Sequence, residues 1–99
     1  MIKLEMIESD IVRAMKNTSK SPIHYLASRY FKIDIRDIDI DKDSIVVWEC
    51  DFEDYISYKY CTEDIETVGN FIDEWQDYID NKITDFVLLP ITFCVEKKK

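Results

Sequence analysis

The stretch DKDSIVVWECDFEDYISYKYC, residues 41–61, decides how the rest of the chain is read. Its apolar residues return with a period of two. Val46, Trp48, Cys50 and Phe52 share one face of a first run, and Ile56, Tyr58 and Tyr60 share one side of a second. β-Branched and aromatic side chains at alternate positions mark strands, because successive side chains of an extended chain point to opposite faces. Asp41-Lys42-Asp43-Ser44 reads as the turn that leads in. Glu53-Asp54 reads as the tip of a hairpin, although it lacks the asparagine-glycine signal.

Upstream the alternation continues, with a flaw. Ile33 and Ile35 alternate with charge, then Ile38 and Ile40 do so in the opposite parity, so a bulge or short break is expected across Arg36-Asp37. Before Lys32 the period becomes helical. Ile23, Leu26, Ala27, Tyr30 and Phe31 make one stripe, with Ser21 as cap and Pro22 at the first helical position, where a missing N–H costs nothing. Leu4, Ile7, Ile11, Ala14 and Met15 predict an earlier helix that ends near Asn17-Thr18-Ser19-Lys20-Ser21.

Downstream, Thr62 is the expected cap of a third helix with Ile65, Val68, Ile72, Trp75 and Ile79 along its apolar seam. Gly69 in its middle costs about 1 kcal/mol against alanine and is expected to mark close packing on the sheet. Asn81-Lys82 should end this helix, and DFVLLPITFCVE, residues 85–96, should form a last strand. Pro90 cannot donate to a ladder, which predicts an edge position or a bend there. The order ααβββαβ predicts an α+β domain with an antiparallel sheet of three or four strands and its helices on one face.

Composition sets the scale. Ninety-nine residues make one small domain, and residues 1–99 are expected to fold as a single compact unit. Disordered acidic chains are poor in aromatic residues, whereas this chain is 46% apolar and 13% aromatic, enough for a core despite a net charge of −8. A chain this short buries only about two thirds of its unfolded surface. There is no apolar run long enough for a membrane span, and Met1–Asp10 has no signal-peptide core. Cys50, Cys61 and Cys94 are widely spaced without a CxxC pair, which fits reduced core or strand residues of a cytoplasmic protein rather than a disulfide framework or a zinc site.

The charge is segregated. Residues 1–33 carry six Lys/Arg and three Asp/Glu (+3), residues 34–80 carry three and sixteen (−13), and residues 81–99 carry four and two (+2). Five aspartates, Asp34, Asp37, Asp39, Asp41 and Asp43, fall within ten positions. Glu63, Asp64, Glu66, Asp73, Glu74, Asp77 and Asp80 line the third helix with no lysine or arginine until Lys82. Solvated helices ordinarily interleave the two signs, since opposite charges at i, i+4 each contribute a few tenths of a kcal/mol. Asp77 and Asp80 even oppose the helix dipole. Helix stability does not explain such a pattern.

Site chemistries are mostly excluded. An EF-hand started at Asp37 places Lys42 where glycine is required and Trp48 where the bidentate glutamate belongs. The aspartates are too many and too exposed for tuned acid–base catalysis, and a metal nuclease finds only a thin Asp41-Lys42. His24, the one histidine, reads as a partly exposed helix residue, and a single glycine rules out a phosphate-cradling loop. No catalytic residue, metal or cofactor is expected.

What remains is a surface for a cationic protein. An acidic balance also serves solubility, but segregation points further: to a non-enzymatic inhibitor that occupies the basic nucleic-acid-binding surface of another protein, such as a nuclease. Phage anti-restriction and anti-CRISPR proteins and nuclease-immunity proteins work in this way; the likeness is one of size and charge, without a shared motif. The twelve acids named above are the expected contact residues, with Tyr55 and Tyr78 as anchors. The alternative is a small structural or regulatory module that pairs as a homodimer through the strand around Phe86, Val87, Leu88 and Leu89. Direct nucleic-acid binding needs a basic patch that this chain lacks.

Overall fold

The computed structural model describes residues 1–49, 54–80 and 88–98. Its elements run β1 (Ile2–Glu5), α1 (Glu8–Lys16), α2 (Pro22–Phe31), a 3-10 turn (Ile35–Asp37), β2 (Ile38–Ile40), β3 (Ser44–Glu49), β4 (Asp54–Tyr60), a second 3-10 turn (Thr62–Asp64), α3 (Ile65–Ile79) and β5 (Thr92–Lys97). The five strands form one antiparallel sheet in the order β1-β5-β4-β3-β2. The radius of gyration, 13.2 Å, matches the roughly 13 Å of a folded chain of this length. The α+β class and the antiparallel sheet agree with the sequence reading. Strand number and element order differ from it.

The extra strand is β1, which the periodicity assigned to the first helix. Ile2 and Leu4 face the core opposite Val95 and Phe93, while Lys3 and Glu5 face away. The helix begins only at Glu8, so its buried residues are Asp10, Ile11 and Ala14, and Ile7 and Met15 are largely exposed. Asp10 sets this start. Its Oδ2 accepts from the Ile7 N–H at 3.1 Å, the reach-back half of a capping box. Its carboxylate is fully buried and takes two bonds from Arg29 of α2, Nη2 to Oδ2 at 3.0 Å and Nε to Oδ1 at 3.4 Å. Arg29 Nη2 also donates to the Glu5 carbonyl at 2.9 Å, so one guanidinium ties β1, α1 and α2 together.

At α2 the sequence signals hold. Ser21 caps the helix, accepting from the His24 N–H, with Pro22 in the first turn. Lys32 closes it in the left-handed region, φ 55° and ψ 48°, where glycine is the usual occupant. The parity slip before β2 is a 3-10 turn capped by Asp34 rather than a bulge.

Register places the core. Ile45 pairs with Tyr58, Val47 with Ile56 and with Ile38, and Tyr60 with Val95, which puts all of these on one face with Leu4 and Phe93. Ile11, Ile23, Leu26, Val68 and Phe71 from the three helices join them in one buried cluster. The larger side chains of β3, Trp48 with Val46, turn to the opposite face, where no helix packs among the described residues. The extension of that face to Cys50 and Phe52, the Glu53 turn, and the helix end at Asn81-Lys82 lie outside the described residues.

Two further expectations are corrected. β5 is an interior strand, bonded to β1 on one side and β4 on the other, which corrects the edge half of the Pro90 expectation, and the strand starts only at Thr92, after the proline. A proline outside the ladder imposes nothing on strand position. Gly69 marks no close approach, since a Cβ built there meets nothing within 4 Å.

Candidate partner-binding surface

The aspartate run does not present a uniform row. Asp34 turns onto the 3-10 turn, its Oδ1 accepting from the Arg36 N–H at 2.9 Å and its carboxylate pairing with the Arg36 guanidinium at 3.0 Å. The Arg36 hydrogen bonds hold the Asp34 carboxyl below the usual carboxylate range. Asp37, half-buried, ends that turn. Asp39 lies on the helix-free face of the sheet and accepts from Trp48 Nε1 at 2.7 Å. Asp41 and Asp43 sit in the exposed β2–β3 turn, closed by the Asp41 N–H to the Ser44 carbonyl at 2.9 Å. The Tyr60 hydroxyl donates to the Asp41 carbonyl at 2.9 Å and anchors the turn on the sheet. Burial, with Asp41 and Asp43 adding to it, pushes the Tyr60 phenol up, so it stays a donor.

The acids of the helical segment divide as well. Asp64 points inward and its Oδ2 accepts from the Cys94 N–H at 2.9 Å, a role in joining the 3-10 turn to β5. Glu63 is exposed on that turn. Val68, Phe71 and Trp75 are the buried line of α3. At 100° per residue, Glu66, Asp73, Asp77 and Asp80 fall on the opposite side within a narrow sector, and Glu74 stands next to it. Asp73, Asp77 and Asp80 rise along this stripe at steps of about 6 and 4.5 Å. Gln76 donates to Asp80 at 3.1 Å. Among the described residues no lysine or arginine lies within ion-pair distance of Glu63, Glu66, Glu74 or Asp77.

The two acidic stretches meet at one point. Lys42, at the tip of the β2–β3 turn, contacts Asp73 with Nζ to Oδ1 at 2.6 Å. Asp41 lines a recess with Ile72, Trp75 and Gln76 of α3, Asp43 lines another with Lys59, Glu96 and Lys98, and Asp34, Asp39 and Asp64 are engaged elsewhere. The proposed anchors separate too. Tyr78 is half-buried against Trp75 on α3, ring centroids 5.4 Å apart. Tyr55 is exposed on the helix-free face against Trp48, at 5.1 Å. It stands across the sheet from the helix.

Beside the meeting point is a recess of about 480 Å³ that sequence reasoning missed. Ile40, Ile72, Trp75 and Ile79 supply its apolar wall, and Ser21, His24 and Gln76 are among its polar groups. The Ser21 N–H donates to His24 Nδ1 at 3.1 Å, which leaves the proton of the neutral ring on Nε2. Burial, then the Lys20 charge, lowers the His24 pKa to about 4 against a smaller opposing effect of Asp39, so the ring is uncharged at neutral pH. The Ser21-x-x-His24 spacing, a capping box with histidine in the usual place of glutamate or glutamine, was the available signal.

Comparisons with protein-family models, curated proteins and solved structures find no match. The functional reading therefore rests on residues and geometry. Among the described residues there is no group of three or more side chains suited to a metal ion, and no helix is long and apolar enough to cross a membrane.

Proposed function

We propose that the chain is a non-enzymatic acidic inhibitor that docks α3 and the β2–β3 turn against the basic nucleic-acid-binding surface of another protein, in the manner of phage anti-restriction and anti-CRISPR proteins or of nuclease-immunity proteins. The observation that supports it is the Lys42–Asp73 contact, which brings the β2–β3 turn up to the acidic side of α3. Carboxylates a few ångströms apart attract a lysine- and arginine-lined groove and steer its approach, as phosphates do at one charge per about 1.7 Å of duplex. Docking also releases the anions bound to that groove, so affinity falls with added salt.

The experiment is a pull-down from the native cell, followed by titration of the captured protein at about 50 and about 200 mM salt, on either side of the 0.1 M at which the Debye length is roughly 10 Å. A basic nucleic-acid-binding partner whose affinity drops several-fold is expected. The variant with Asp73→Asn, Glu74→Gln, Asp77→Asn and Asp80→Asn should lose binding while remaining folded. Salt-independent binding, or full activity of that variant, overturns the reading. A salt-tolerant homodimer in size-exclusion chromatography would favour the alternative of a self-pairing module. Leu89, 72% exposed beside the half-buried Leu88, is the feature on its side.

A further inference from the structure

Cys61, the residue that follows β4, stands beside Cys94 of β5. The β4–β5 register pairs Tyr58 with Lys97, Lys59 with Glu96 and Tyr60 with Val95, and one more step brings Cys61 opposite Cys94. The Cys61 N–H donates to the Cys94 carbonyl at 2.9 Å, which extends the ladder to that pair. The return bond is replaced: the Cys94 N–H goes to the Asp64 carboxylate at 2.9 Å, which fixes β5 at this point from the other side. Side chains two apart share a face, so both thiols stand on the side of Lys59 and Glu96. Those two reach each other at 3.9 Å, so groups on this face meet across the strands. Both cysteines are free thiols. Cys61 is buried and Cys94 half-buried, and a recess of about 290 Å³ opens onto Cys61 between Lys59, Glu96 and Asp43.

Antiparallel pairs that exchange both hydrogen bonds hold their Cα atoms about 5.5 Å apart, within the span of a disulfide, and Cys61 and Cys94 keep one of those two bonds. Their Cβ atoms are normally about 4.5–5.5 Å apart, and a disulfide wants about 3.8 Å. The bond is therefore formable with a small closing movement and easily reduced again, as strained disulfides are.

We infer that Cys61 and Cys94 are a reversible disulfide-forming site, oxidised by thiol–disulfide exchange with a low-molecular-weight disulfide such as oxidised glutathione. The more accessible Cys94 thiolate attacks one glutathione sulfur and expels a glutathione thiolate. The Cys61 thiol, its pKa pushed up by burial and then by Glu96, gives up its proton as it attacks Cys94 Sγ and expels the second glutathione as its thiolate. Two protein thiols are oxidised, one glutathione disulfide is reduced to two glutathiones, and the two thiol protons pass to the departing thiolates. The bond closes a loop of residues 61–94 that carries all of α3, and Cys61 stands four residues before the start of that helix. This inference is independent of the partner proposed above.

The test uses the full-length chain with Cys50→Ser, leaving only these two thiols, folded and incubated in graded mixtures of oxidised and reduced glutathione. Intact mass should fall by two hydrogens with no glutathione adduct retained, and peptide mapping should link residues 61 and 94. Tm should rise on the order of 10 °C and return on reduction. With Cys61→Ser added, the glutathione adduct on Cys94 should accumulate, because nothing resolves it. A stable adduct on Cys94 with Cys61 still open to alkylation overturns the inference, as does a cross-linked dimer or no oxidation at all. Mapping of the unsubstituted chain gives the same decision if Cys50→Ser impairs folding.

Discussion

Removing the Asp10 carboxylate should be among the most damaging single changes available in this domain. The side chain is 1% exposed and accepts three hydrogen bonds, one from the Ile7 N–H and two from Arg29. Loss of a cap of this kind costs about 1 kcal/mol. Breaking a buried ion pair costs about 3–5 kcal/mol, but Arg29 is 40% exposed and water takes up much of its stranded charge, which reduces that part to about 1–3 kcal/mol. Asp10→Ala should therefore destabilise by about 2–4 kcal/mol, a large share of the 5–15 kcal/mol of a typical domain. Tm should drop by about 10–20 °C. Asp10→Asn keeps an acceptor for Ile7 and should cost about half as much. Urea unfolding followed by tryptophan fluorescence measures both, with the slope m unchanged. Arg29→Met, which keeps the aliphatic packing, completes a double-mutant cycle whose coupling should exceed about 1 kcal/mol. Asp10→Ala within about 0.5 kcal/mol of the parent, or an additive cycle, would refute the clamp.

Other expectations concern pH and backbone. His24 has its pKa lowered from 6.5 to about 4 in the folded chain, so between those values the unfolded chain binds the extra proton. Stability should be complete above pH 6.5 and decline by about 2–3 kcal/mol as pH falls toward 4. His24→Gln preserves the capping box and should remove that slope, seen as the difference between the two urea-denaturation profiles; parallel profiles would exclude His24 as its source. Gly69→Ala, with open space around its Cβ, should stabilise α3 by about 1 kcal/mol. Lys32→Gly should add about 0.5–1 kcal/mol by relieving the left-handed cap, and the two gains should add, since the sites share no partner. A loss on Gly69→Ala would show that something packs there after all.

Most of the architecture was legible because local patterns and tertiary contacts agree. Ser21 and Pro22 start α2 where capping chemistry requires, and the β3–β4 hairpin carries alternation strong enough to stand alone. β1 was misread because Leu4 satisfies two templates at once: it lies three residues before Ile7, and it alternates with Lys3 and Glu5. Pairing with β5, at the far end of the chain, decides between them, and no local signal carries that information. The same distance hides the inward turn of Asp64, whose partner is the Cys94 amide.

Charge is a different kind of information. Segregation of −13 into the middle of the chain needs no fold to be seen, but its direction does. Asp34 reads from sequence as one of the surface acids, yet Arg36 two residues on offers both a backbone N–H and a guanidinium, and the local turn partly neutralises its still exposed carboxylate. Asp39 lies on the strand face away from α3 and Tyr55 shares that face, so neither stands beside the helical acids. The surface left to the proposed function is narrower than the composition suggested: the β2–β3 turn and one side of α3. Lys42 of the first acidic stretch reaches Asp73 of the second and neutralises part of the patch where the two meet. An exposed pair of this sort contributes little stability, so it marks turn and helix as adjacent without fixing them, and the turn itself is held by the Tyr60 hydroxyl on the Asp41 carbonyl and by the β2–β3 ladder.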